Sequence, residues 1–173
     1  LRCRTCGHVM NSHVVSQEKR YQERGYSYDS GNSKVSVRHF DEMAQDVVRR
    51  VGVSPRDLVV DIGSSVGTLL QAFRTHAGAR VIGVDASKNI AALARKNNIK
   101  TIEQFWGSNA ARQILAVGRA KVITATNCFN HIADTDTFMK SVMRTLAQDG
   151  AFVIEVPYLL PLVEKCAFDT MYL

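Results

Sequence analysis

Long apolar runs are missing from this chain of 173 residues. None approaches the roughly 20 residues that a membrane-crossing helix needs, and the N-terminus has no signal-peptide pattern. The expectation is a soluble, cytoplasmic protein with no membrane partner. Cysteine is scarce, with 4 residues, which excludes a disulfide scaffold. Cys128 and Cys166 stand singly among apolar neighbours, as inert buried thiols do. Basic runs interleaved with aromatics are also missing. The net charge of +6 is spread over residues that alternate with acids. It therefore reads as a general basic surface, and no nucleic-acid partner is expected. There are no internal repeats and no low-complexity segments. With 46% apolar residues, the chain can bury one good core.

What is present is organised around the stretch from Asp57 to Phe73, DLVVDIGSSVGTLLQAF. A β-branched run (Leu58, Val59, Val60) ends in Asp61. A tight turn through Gly63, Ser64, Ser65 and Gly67 follows, and Leu69, Leu70 and Phe73 then recur at helical spacing. Strand, glycine turn and helix form the first unit of a doubly wound α/β domain. Glycine lets a ligand come close to the backbone. The spacing is Asp-x-Gly-x-x-x-Gly, not the Gly-x-Gly-x-x-Gly of dinucleotide binders, so S-adenosylmethionine (AdoMet) is the expected cofactor rather than a nicotinamide.

The remaining pattern repeats that unit. Val37, Phe40, Met43 or Ala44, Val47 and Val51 share one face of a helix from Ser33 to Gly52. A second strand, Val81–Val84, ends at Asp85-Ala86, where this architecture places a carboxylate for ribose hydroxyls. Ser87 is expected to cap the next helix. A third strand carries Phe105 and Trp106 at its end, placed to edge an adenine or to pack in the core. Ser108 is expected to cap the helix after it. The fourth strand, KVITATN, runs into Asn127, Cys128, Phe129, Asn130 and His131, in the crevice where such folds hold ligands. Asn127 and Phe129 are cofactor candidates, and His131 is a candidate for proton work. A helix from Asp134 to Gly150 precedes the fifth strand, AFVIEVP. Three regions are expected: residues 1–33, 34–160 and 161–173. They are a partial zinc ribbon with a tyrosine-rich loop, the AdoMet-binding Rossmann-like domain, and a lead-out. The sheet is expected to be mainly parallel and to stop after its fifth strand. Cys3 and Cys6 could hold two corners of a tetrahedral zinc, but no second C-x-x-C follows, so that structural site is incomplete.

The ordered set of motifs resembles the nucleotide-sugar C-methyltransferases that carry an N-terminal zinc ribbon. CRTCG looks like their second zinc-ligand pair and YSYDSGNS like their tyrosine- and serine-rich loop. VVDIGSSVGTLL is similar to their AdoMet loop, GVDAS to their ribose turn, and KTIEQFWG to "T-x-x-x-F-F-G". TNCFNHIAD is similar to "N-N-V-x-x-H-x-x-D", EVPYLL to "E-x-P-H-L-L", and FDTMY to the start of "F-D-T-I-Y-H-E-H". Val66, Thr126 and Tyr158 depart from these patterns. The resemblance implies methylation of a ring carbon of a keto-deoxysugar on a nucleoside diphosphate, by way of an enolate. It also implies that Tyr28, Tyr26, His131 and Tyr172 line the substrate side. The implied base falls in a His-Glu-His beyond Leu173, so this chain alone is expected to be a poor catalyst. Other readings stay open: a generic small-molecule O- or N-methyltransferase, a non-catalytic AdoMet-binding protein, and a zinc-ribbon nucleic-acid binder.

Overall fold

The structure, a computed structural model, describes residues 1–9, 12–13, 15–23 and 29–166. The β-branched run forms strand β1 (Leu58–Ile62), buried at every position. Such a continuous apolar strand belongs in the middle of a parallel sheet covered on both faces. It pairs in parallel with β2 (Arg80–Asp85) on one side and with β4 (Ala120–Thr126) on the other. Strands β3 (Thr101–Glu103) and β5 (Leu146–Glu155) extend the sheet to the order β3-β2-β1-β4-β5, parallel throughout. This is the expected Rossmann-like α/β architecture. The order reverses between β1 and β4, and in doubly wound folds the ligand crevice lies at the carboxyl ends of the strands at that point.

Helices close both faces. Helix α2 (Lys34–Val51) presents Phe40, Ala44 and Val47, and α3 (Thr68–Ala77) presents Leu69, Leu70, Ala72 and Phe73, to one core. On the opposite face, α5 (Ser108–Leu115) and α6 (Thr135–Thr145) bury Ala110, Ile114, Phe138 and Val142 against β1, β2 and β4. Helix α4 (Lys88–Lys96) buries Ile90, Ala91 and Ala94. The chain opens with a short α1 (Gln17–Tyr21), and α7 (Leu159–Glu164) follows β5.

Several sequence expectations need correcting. No helix is expected before Ser33, yet Ser16 caps α1 by accepting a hydrogen bond from the Lys19 backbone N–H. Ser87 occupies the cap position of α4, but its hydroxyl makes no cap bond. Gly107, not Ser108, precedes α5. Helix α6 ends at Thr145, and β5 begins at Leu146, five residues before Ala151, with a register irregularity in between. Cys166 is exposed, so the expectation of a buried thiol fails there. Cys128 is half-buried and its Sγ lies 3.1 Å from the carbonyl oxygen of Ile62. Among the described residues no helix is long and apolar enough to cross a membrane.

Gly67 shows how tightly the opening unit is built. It sits at φ +87° in front of α3, and a Cβ there would lie 2.6 Å from Cγ1 of Ile99. Left-handed backbone costs a side chain about 1–2 kcal/mol, and overpacking adds a similar amount. Gly67→Ala should therefore lower stability by roughly 2–4 kcal/mol. A thermal melt within about a degree of the wild type would show that this turn can relax.

Candidate functional site

The strand ends converge as the sequence suggested. Asp61 pairs in register with Gly83 and Thr124, and Thr126 with Glu155. That brings Asp61, Asp85, Asn127 and Glu155 to one edge of the sheet.

Asp85 joins the two turns above β1 and β2. One carboxylate oxygen accepts from the Ser65 backbone N–H at 3.0 Å, and the other from that of Ser87 at 2.9 Å. The Ser87 hydroxyl also hydrogen-bonds this carboxylate. The glycine loop is also tied to the end of β2, because the N–H groups of Gly63 and Ser64 both donate to the Val84 carbonyl. Gly63 has φ +71°, and a Cβ there would fall 2.9 Å from the Cβ of Cys128. Ser65 is held at φ 48°. The Ser64 hydroxyl is buried beside Gly83 and has no hydrogen-bond partner among the described residues.

Asp61 lies beneath this loop and is 2% exposed. The Thr124 hydroxyl donates to it at 2.7 Å. Burial, with the nearby Asp85 charge adding to it, pushes its carboxyl up to about 7. Burial also raises the Cys128 thiol, and both aspartates add to that. Cys128 is therefore no thiolate nucleophile at neutral pH.

The aromatics divide. Trp106 turns inward, its indole N–H donating to the Phe138 carbonyl at 3.3 Å. Phe129 also packs into the core, with its ring centroid 5.3 Å from that of Phe138. Phe105 instead meets Tyr21 of α1 edge-on at 6.4 Å. His131 ends a 3-10 turn, Phe129–His131, and is half-buried; burial and then the Arg20 charge lower its proton affinity. Ala86 lies in the turn between Asp85 and Ser87.

The sequence reading missed the wall that the N-terminal segment builds over this edge. Gln17 donates to the His131 carbonyl at 2.8 Å, and Arg20 lies 5.4 Å over the Tyr21 ring. The Ser30 N–H donates to the Ser65 hydroxyl at 3.3 Å, and the Ser30 and Thr68 hydroxyls pair at 3.1 Å. The Ser16 cap, Glu18 in the first turn and the bases Lys19 and Arg20 were the local signals for α1. None of these cross-chain contacts has a signature in sequence spacing. Tyr26, Tyr28 and Tyr172 lie outside the described residues.

At the N-terminus, Arg2 and Val9 bridge in antiparallel fashion and the Cys3 N–H donates to the His8 carbonyl at 2.7 Å. Hydrogen bonds from the Cys6 and Thr5 backbone hold the Cys3 thiol below its ordinary range. Among the described residues, no three or more His, Cys, Asp or Glu side chains are grouped to hold a metal.

Asp61 generates a pH prediction. Its folded-state carboxyl titrates near 7, against 3.8 for an unburied one. A raised acid contributes stability that is complete below the unfolded value and disappears as pH rises through the folded value. Denaturant unfolding should therefore show Asp61→Asn gaining on the wild type between about pH 4 and pH 8. A pH-independent difference would mean that Asp61 is ionised in the folded chain.

Comparison with known proteins agrees with this geometry. Residues 60–154 match the family described as a methyltransferase domain. The C-methyltransferase NovU of Streptomyces niveus is 33% identical over 171 residues, covering 98% of this chain and 40% of NovU. The chain thus spans less than half the length of that relative. Among solved structures, the plantazolicin methyltransferase BpumL, in complex with a pentazolic desmethylPZN analogue and SAH, aligns with TM-score 0.63 at 15% identity. The alignment covers 84% of this chain and 56% of BpumL. An AdoMet-dependent methyltransferase of Clostridium acetobutylicum aligns with TM-score 0.58 at 16% identity, covering 78% of this chain and 55% of its own. The crevice at the strand switch, the glycine turn and the acid closing β2 thus sit in a chain that belongs to the AdoMet-dependent methyltransferase-domain family.

Proposed function

We propose that this chain is the AdoMet-binding part of an enzyme that methylates a ring carbon of a keto-deoxysugar carried on a nucleoside diphosphate. The observation that supports methylation at carbon is the 33% identity to the C-methyltransferase NovU across 98% of the chain; the sugar follows from the motif resemblance.

The residues at the crevice fit AdoMet. Asp85 closes β2 with a carboxylate that would accept from the ribose hydroxyls. In the Gly63–Gly67 loop the exposed residue, Gly63, has no side chain, so the cofactor would meet its backbone. Phe105 would border the adenine, and Asn127 would lie at the end of β4. AdoMet, when bound, supplies an electrophilic methyl group. On the acceptor side, His131 in its neutral form keeps one ring N–H. That donor would hydrogen-bond the oxygen that gains charge as the proton α to the ketone leaves. Tyr28, Tyr26 and Tyr172 would share that task by resemblance. Cys3 and Cys6 would be two thiolate corners of a structural zinc; the N–H groups turned towards Cys3 favour its thiolate.

Calorimetric titration of AdoMet into the chain should give micromolar binding, weakened at least about tenfold by Asp85→Ala. Equal binding by the variant would remove Asp85 from the site. The whole gene product, given AdoMet and a deoxythymidine-diphosphate-linked keto-deoxyhexose, should form a carbon-methylated sugar visible by mass spectrometry and NMR. A methyl group found on oxygen, or no turnover, would overturn the sugar reading.

A further inference from the structure

A hydrogen-bonded set beside the crevice joins Asn127 and Glu155, each from a sequence motif, to a histidine that belongs to neither. His39 of α2 meets Glu155, the last residue of β5, with Nε2 2.6 Å from Oε2. Glu155 is fixed from its other side by Asn127, the first residue after β4. The Asn127 side-chain amide donates to Oε1 at 3.2 Å, and its backbone N–H donates to the Glu155 carbonyl at 2.7 Å. Asn127 holds φ 53° to do so, a conformation that non-glycine residues seldom adopt. The next residue, Cys128, abuts Gly63 of the cofactor loop. Three separate elements thus place one imidazole at the carboxyl ends of β4 and β5.

An exposed His–Glu pair is ordinarily worth little to stability. This one differs in how completely its carboxylate is oriented. With Oε1 bound to Asn127, Oε2 is presented to the imidazole. A carboxylate can only accept, so Nε2 must be the donor. In the neutral ring, Nδ1 then carries the lone pair. The His39 side chain is 51% exposed, and among the described residues Nδ1 has no hydrogen-bond partner.

We infer that His39 is an acceptor-substrate contact: Nδ1 receives a hydrogen bond from a substrate hydroxyl, and Glu155 and Asn127 hold the ring in the tautomer that allows it. The inference rests on the sugar-methylation reading above and adds a recognition residue that the motifs do not contain. Glu155 and Asn127 are positioning residues, because they act through the imidazole.

The test uses the whole gene product with AdoMet and the same deoxythymidine-diphosphate-linked keto-deoxyhexose. His39→Phe keeps a ring but removes the acceptor, and should raise the sugar KM about tenfold with kcat changed far less. His39→Gln, which keeps an acceptor oxygen, should recover part of that loss. Binding of SAH, measured by calorimetry, should stay within about twofold in both variants, which also shows that they fold. Nitrogen-15 NMR of the imidazole should report an Nε2–H tautomer in the wild type that is lost in Glu155→Gln, since the new amide can donate. If the wild type turns over the sugar and His39→Phe leaves KM unchanged, this inference falls alone. A loss of SAH affinity equal to the KM effect would place His39 in the cofactor half and overturn it as well. If the wild type does not turn over the sugar, the methylation reading fails and this one falls with it.

Discussion

One carboxylate ties the two halves of the crevice together. Asp85 closes β2, yet its two oxygens hold backbone from two different turns, Ser65 in the glycine loop and Ser87 at the start of α4. Its position follows from the parallel ladder, which sets β2 beside β1 with Ile62 opposite Val84. If that register slipped by one residue, the acid would face the other side of the sheet and the loop would lose its anchor. The buried Asp61 depends on the same arrangement. It lies close enough to Asp85 for the two to resist ionising together, and the Thr124 hydroxyl partly offsets this.

The helices make that register affordable. One core gathers α2 and α3 and the other gathers α5 and α6, so the central strand is covered on both faces. Fully buried Phe73 and Leu70 on one side, and Ile114 and Val142 on the other, each contribute on the order of 2 kcal/mol through burial. Parallel strands have no hairpin to set their pairing, so this two-sided packing is what specifies it.

The sheet and its strand ends were legible in the sequence because both rest on local patterns. The β-branched run before Gly63, the acid after Val84 and the helical spacing of Leu69, Leu70 and Phe73 each mark their element without help from the rest of the chain. The aromatics were not legible. Nothing in FWG says that Trp106 donates inward to Phe138 while Phe105 turns outward to Tyr21, because both partners lie on other elements. The same holds for His39. Its spacing on α2 marks it only as a residue off the apolar face, and its partner Glu155 is 116 positions away. The start of β5 at Leu146 was missed because LAQDG reads as the end of a helix, whereas pairing with Ala120 draws it into the sheet.

The contacts of Gln17, Tyr21 and Ser30 mean that one wall of the crevice is written in a part of the chain separate from the fold that bears the glycine loop. The floor is constrained twice, by the cofactor loop and by the core beneath it, where almost every side chain is fully packed. Apart from buried Ser30, which bonds the loop, the wall answers to neither demand, because α1 buries no residue of its own. Change in this protein therefore has two speeds. The strands and the turn after β1 accept few substitutions, while the exposed residues of α1 can change and reshape what lies opposite the cofactor, leaving the sheet untouched.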